Sequence, residues 1–155
     1  MHGYTKKAHP SDYLLAAFLL ALLFWAHSVV APPMPVSQSR VTIDGTIISV
    51  EIARTSEERE KGLSGRSALA ERSGMLFAFD HPDRYGFWMQ NVHFAIDIVW
   101  IGPDWRIVVI LENVPPELYP NLFTPTVPAQ YVLEVPAGSA ERYGWKAGDE
   151  VEFDQ

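Results

Sequence analysis

The chain of 155 residues predicts a mostly β domain, a β-sandwich of jelly-roll type or a partly closed barrel, with two short helices. Three observations point there. Short β-branched and aromatic runs recur from Arg40 to Phe153. Turn residues such as Asp44-Gly45, Gly102-Pro103-Asp104 and Gly148-Asp149 interrupt them roughly every ten residues. No strand–helix–strand alternation is present, which argues against a doubly wound sheet.

In chain order, an address segment comes first. Lys6 and Lys7 precede the apolar run Tyr13 to Ala26, followed by His27, Ser28 and small residues. A basic end, a short apolar core and small residues at Ala26 and Ser28 are the parts of a secretory signal peptide. The run would rise only about 21 Å as a helix, short of a ~30 Å hydrocarbon core. Extended to Ala31 it would span, so residues 1–31 read as a signal peptide or an uncleaved membrane anchor. Either places the domain outside the cytoplasm, periplasmic or anchored facing outward. Residues 32–39, Pro-rich and polar, read as a linker, and residues 40–155 as a single β-rich domain.

Arg40 to Ala53 is a hairpin: two β-branched runs flank Asp44-Gly45, a dipeptide that accepts positive φ in a two-residue turn. Thr55 to Gly62 has helical composition, with Thr55 and Glu58 placed for a capping box and Gly62 for a left-handed stop. Gly74 to Phe79 reads as a buried strand and Asp80 to Arg84 as a polar loop. A second strand, Phe94 to Ile101, puts Ile96, Ile98 and Trp100 on one face and Asp97, Val99 and Ile101 on the other. Both faces are apolar, so this strand should be central. Asp97 then cannot stay charged and unpartnered. Trp105 to Asn113 is the return strand, Val114 to Pro128 an irregular Pro-rich loop, and Gln130 to Val135 another strand. Ser139 to Gly144 reads as a helical turn capped by Ser139 and stopped by Gly144, before the last strand, Glu150 to Phe153.

Composition excludes several functions. Nineteen acidic residues against twelve Lys and Arg leave a formal charge of −7, with no basic cluster for nucleic acid. With no cysteine, disulfides, thiolate nucleophiles and cysteine-based metal sites are excluded. His81, His93, Met75 and Met89 carry copper-compatible donors but no tight ligand spacing, so no metal and no cofactor is expected. Ser64 in Gly62-Leu63-Ser64-Gly65 lacks the strand-to-helix setting of a nucleophile elbow.

The motif series Thr55-x-Glu57-Glu58-Arg59-x-x-Gly62-Leu63, Gly74-Met75-Leu76-Phe77-x-Phe79, Phe87-Trp88-Met89-x-Asn91 and Ile96-Asp97-Ile98 resembles the domain of unknown function 192 family. The stretch Pro128-Ala129-x-Tyr131-Val132-Leu133-Glu134-x-Pro136-Ala137-Gly138, then Gly148-Asp149-x-Val151, extends the likeness over Val41 to Phe153. The resemblance implies a compact, jelly-roll-like β domain, frequently exported in bacteria, and supplies no function. Ser64 stands where the family commonly has Met, and the Val114 to Pro128 loop lacks a cysteine that some members carry.

The candidate ligand-binding set is Trp88, Met89, Asn91 and Asp97, with Arg66 and Glu134 as partners. Apolar walls bearing a few directed polar groups are the usual make-up of a ligand site. The plainer reading makes Trp88 core, Asn91 a turn residue, Asp97 a buried strut paired with Arg66, and Glu134 a solvated strand residue. The favoured function is an exported, non-catalytic binding or accessory domain, monomeric, taking a small polar ligand or an envelope protein. The second is a hydrolase acting on an envelope saccharide through Asp97 and Glu134 as paired carboxylates.

Overall fold

A computed structural model describes residues 39–155. The expected signal peptide or anchor, and all but the last residue of the linker, lie outside the described residues. The expectation of a mostly β, partly closed barrel with two short helices is borne out.

Seven strands form one sheet: β1 (Arg40–Ile43), β2 (Thr46–Ala53), β3 (Ser73–Asp83), β4 (Ile96–Ile101), β5 (Ile107–Val114), β6 (Ala129–Pro136) and β7 (Val151–Asp154). Their spatial order is β5-β4-β6-β3-β2-β1-β7. Only β2 and β3 run parallel, and α1 (Ser56–Lys61) lies in the connection between them. The second helix, α2 (Ser139–Tyr143), follows β6. The sheet curls until its edges meet at one end. Arg106 bridges to Glu150, and the Val151 amide donates to the Trp105 carbonyl at 2.8 Å.

Local chemistry explains the elements. Asp44 and Gly45 take φ of 46° and 74°, the paired positive values a tight two-residue hairpin requires. The capping box of α1 is present: Thr55 Oγ1 accepts from the Glu58 amide at 3.1 Å, and Glu58 Oε2 accepts from the Thr55 amide at 2.9 Å. Gly62 ends α1 with a positive φ of 46°, but its ψ of −131° lies outside the left-handed helical region. The buried strand expected at Gly74 to Phe79 continues to Asp83 through the segment read as a loop, with a register irregularity between Ala78 and Asp83. Gly74 has a steric reason. A Cβ there would stand 2.6 Å from the carbonyl oxygen of Glu134 on the neighbouring strand.

Alternation along the strands builds two apolar layers. On one face, Val41, Ile48, Leu76, Val99, Ile107, Leu133 and Val151 pack together with Ala140 and Trp145. All seven strands contribute, as the concave face of a curled sheet demands. On the other face, Met75, Phe77, Ile96, Ile98, Trp100 and Val132 are covered by Leu63 after α1 and by Phe87, Met89 and Val92. The central strand read from Phe94 to Ile101 is β4. All six of its residues are buried, between β5 and β6.

Candidate functional site

Two buried carboxyl groups stand out, and the sheet sends them to opposite faces. Asp97 is opposite Val135, while Glu134 is opposite Ile98 on one side and Met75 on the other. Residues opposite each other across a ladder point the same way. Asp97 therefore joins the concave layer and Glu134 the outer one.

Asp97 is fully buried and fully partnered. Its Oδ1 accepts from the amides of Asn113 at 2.8 Å and Gly138 at 3.0 Å, and its Oδ2 from the Ala140 amide at 2.9 Å. It holds the end of β5 and the start of α2 together. It thereby fills the capping role expected of Ser139, whose hydroxyl instead donates to the Pro136 carbonyl at 2.6 Å. Burial was expected; pairing with Arg66 was not correct. Arg66 makes a bidentate pair with Glu51, at 2.6 and 2.7 Å, across an exposed part of the surface. Backbone amides suit a carboxylate where three chain segments converge.

Glu134 is the opposite case. It is 4% exposed, flanked by Met75 and Ile98, and its Oε2 has no hydrogen-bond partner. Burial raises its carboxyl from the ordinary 4.5 to about 8. The reading of Glu134 as a solvated strand residue is therefore overturned. Glu134 is among the residues that line a cavity of about 230 Å3.

The walls of that cavity come from the segments that cover the outer layer. Phe77 and Phe79 of β3, with Tyr85, Phe87 and Trp88 after it, supply aromatic surface, and Arg59, Glu60 and Lys61 of α1 supply the charges. Phe77 and Phe87 meet edge to face at 4.8 Å, and Tyr85 stacks on Phe79 at 3.5 Å. The Arg59 guanidinium lies 4.8 Å above the Phe79 ring and donates to the carbonyls of Ala78, at 2.9 Å, and Arg54. The chain leaving α1 is tied to the turn opposite: Ser64 donates to the Gln90 carbonyl at 2.8 Å and the Gly65 amide to the Asn91 carbonyl at 2.8 Å.

Of the six expected binding residues, the cavity brings together Trp88 and Glu134 alone. Trp88 is 47% exposed, with its ring 6.4 Å from that of Tyr119, so it is not core. Met89 is buried among apolar side chains and is core. Asn91 is an exposed turn residue with φ of 55°, as the plainer reading had it. Arg66 and Asp97 do not line the cavity. The paired-carboxylate arrangement does not form, because Asp97 and Glu134 stand on opposite faces of the sheet. Arg59, Lys61, Phe77, Tyr85 and Phe87 escaped the sequence reading. The signal for the aromatics was the spacing Phe77-x-Phe79 and Tyr85-x-Phe87, which repeats on one face of an extended chain.

A curled half-barrel with a covered outer face and one carboxyl-bearing aromatic cavity defines the class. The DUF192 family model, an uncharacterised ACR family, matches residues 39–153, and the chain belongs to that family. It is similar to the crystal structure of a protein of unknown function from Novosphingobium aromaticivorans, with 38% identity and a TM-score of 0.69, over 77% of this chain and 89% of that one. It is also similar to a Sinorhizobium meliloti protein provisionally named a transcription regulator, with 32% identity and a TM-score of 0.68, over 75% of this chain and 92% of that one. No curated protein matches the chain.

Proposed function

We propose that this is an exported, non-catalytic ligand-binding domain, and that its site is the cavity beside Glu134. One observation carries the reading: a carboxyl that the fold buries, with Oε2 left without a partner, on a residue that lines an aromatic-walled cavity. A carboxyl that served packing alone would be replaced by Leu or Met with a gain in stability. A carboxyl kept unpartnered beside a cavity suits a ligand that completes its hydrogen bonding. At about 230 Å3 the space is below the ~300 Å3 at which pockets for drug-sized ligands begin, so the ligand is a small metabolite. Export rests on the basic end and apolar run of residues 1–31.

The test is amide chemical-shift mapping with a panel of small amines, carboxylic acids, sugars and amino acids. Shifts confined to Gly62–Ser64, Tyr85–Val92 and the neighbours of Glu134, and lost in a cavity-filling Ser64→Trp variant, are the expected result. If the whole panel left those amides unmoved, the cavity would not be a ligand site.

A further inference from the structure

Resting on the reading that this cavity binds a ligand, we propose that the ligand enters amino group first and carries an anionic group at its outer end, as an ω-amino acid does. The inner end is set by what surrounds Glu134. On its own face its ladder neighbours are Met75 and Ile98, which offer neither donor nor charge. Two of the chain's nearby cations are held elsewhere, while Lys61 lines the cavity without a hydrogen bond to Glu134 Oε2. Arg59 donates to the carbonyls of Arg54 and Ala78 and packs on Phe79, and Arg66 is held by Glu51. No hydrogen bond from the chain completes Glu134 Oε2, and a ligand that supplies N–H donors and positive charge would do so. The walls suit the same chemistry, since Phe77, Phe87, Tyr85 and Trp88 line the cavity and aromatic rings attract a cation over their faces.

The outer end is set by α1. Arg59 and Lys61 line the cavity from that helix with Glu60 between them, so the net charge on this side is positive. Such a rim disfavours a ligand of net positive charge and suits a carboxylate or similar anion following the amine. A small zwitterion satisfies both ends. A quaternary ammonium would satisfy the aromatic walls but leave the carboxylate without an N–H donor, so the amine is primary or secondary.

Protons distinguish this ligand from one that merely accepts a hydrogen bond from a neutral carboxyl. Burial holds the Glu134 carboxyl protonated up to about pH 8. An ammonium group pairs with the carboxylate, so binding below that pH expels the Glu134 proton to solvent while the ligand keeps its own. The other titratable groups facing the cavity are Arg59, Glu60 and Lys61 of α1 and Tyr85 after β3. Burial raises the Tyr85 phenol further from neutrality, and neither β3 nor β4 adds an ionisable neighbour to Glu134 on this face.

The experiment is calorimetric titration of the full-length chain with β-alanine, 4-aminobutanoate, 6-aminohexanoate, butylamine and 4-hydroxybutanoate, in buffers of different ionisation enthalpy. At least one ω-amino acid is expected to bind with release of nearly one proton at about pH 7, and about tenfold more tightly for each pH unit between about 6 and 7.5. Glu134→Gln should abolish this binding with the thermal transition retained. Lys61→Ala should weaken the amino acid and leave butylamine bound as tightly or more so. If 4-hydroxybutanoate bound with no proton released while the amines did not, the cavity would remain a ligand site and the amine assignment would fall. If amines bound equally well to Glu134→Gln, the assignment would also fall. If no compound bound, both it and the cavity reading would be overturned.

Discussion

The uncompensated burial of Glu134 predicts a pH dependence of stability that one substitution should remove. In the folded chain this carboxyl keeps its proton up to about pH 8, whereas in the unfolded chain it loses it near the ordinary 4.5. Between those values the folded state binds more protons, so stability falls as pH rises through that window and levels above it. At about 1.4 kcal/mol per unit, the window corresponds to a loss of at most about 5 kcal/mol, of which about 4 kcal/mol falls between pH 5 and pH 9. Water entering the cavity beside the ionised group would reduce this. Glu134→Gln keeps the shape and removes the titration. Urea unfolding of both proteins at about pH 5, 7 and 9 should give similar stabilities at the acid end. At the alkaline end the variant should be more stable by about 2–4 kcal/mol. Every other titrating group is common to the two proteins, so the difference isolates this carboxyl. Parallel profiles, with a gap below about 0.5 kcal/mol at every pH, would refute the claim that Glu134 is buried without a partner.

Further expectations follow from the other groups. Asp97→Ala strands three buried amide donors at about 1–3 kcal/mol each and should cost at least about 3 kcal/mol in chemical denaturation, with Asp97→Asn milder. Arg66→Ala should cost less than about 1 kcal/mol because its pair with Glu51 is largely exposed, and a double-mutant cycle should find no coupling between Arg66 and Asp97. That pair's small contribution should fade in acid as Glu51, whose carboxyl Arg66 holds below its ordinary value, takes up a proton. Residues 36–155 alone should give a cooperative thermal transition, and aggregation or a molten state would count against a self-sufficient domain. Residues 1–40 fused to a reporter active only outside the cytoplasm should produce signal, and a purely cytoplasmic signal would end the export proposal.

Much of the fold was legible because its causes are local. Asp44-Gly45 specifies its own turn, Thr55 and Glu58 specify the start of α1, and the double apolar alternation of Ile96 to Ile101 requires a strand covered on both faces. The partners of Asp97 were not legible for the same reason in reverse. Its donors lie 16, 41 and 43 residues away, and they are backbone amides, which every residue but proline carries and no side-chain pattern reveals. The closure of Arg106 with Glu150 is likewise a product of the sheet's curl, and the bridge of Phe87 with Phe123 joins two irregular connections, with no local motif for either. The cavity was half legible. Trp88 and Glu134 were singled out, but the helix that carries Arg59 and Lys61 has no buried residue of its own, so nothing in its composition says which surface it covers.

The two buried carboxyls show why burial alone does not mark a site. Asp97 is the more deeply buried and, on sequence, the more conspicuous, yet both its oxygens accept from amides, at three positions in the chain. Both oxygens already have partners, and its work is to hold β5 against α2. Glu134 lies on the same sheet, two residues from Val132 and on its face, with only apolar neighbours and a cavity. The fold could have supplied a partner there as it did for Asp97, since the cations of α1 line the same cavity. Instead Arg59 Nη1 donates to two carbonyl groups, which helps to fix the wall, and Glu134 Oε2 is left without a partner. On the proposed reading, Asp97 is a strut because amides partner both its oxygens, and Glu134 a binding group because its carboxyl is left incomplete on a residue that lines a cavity.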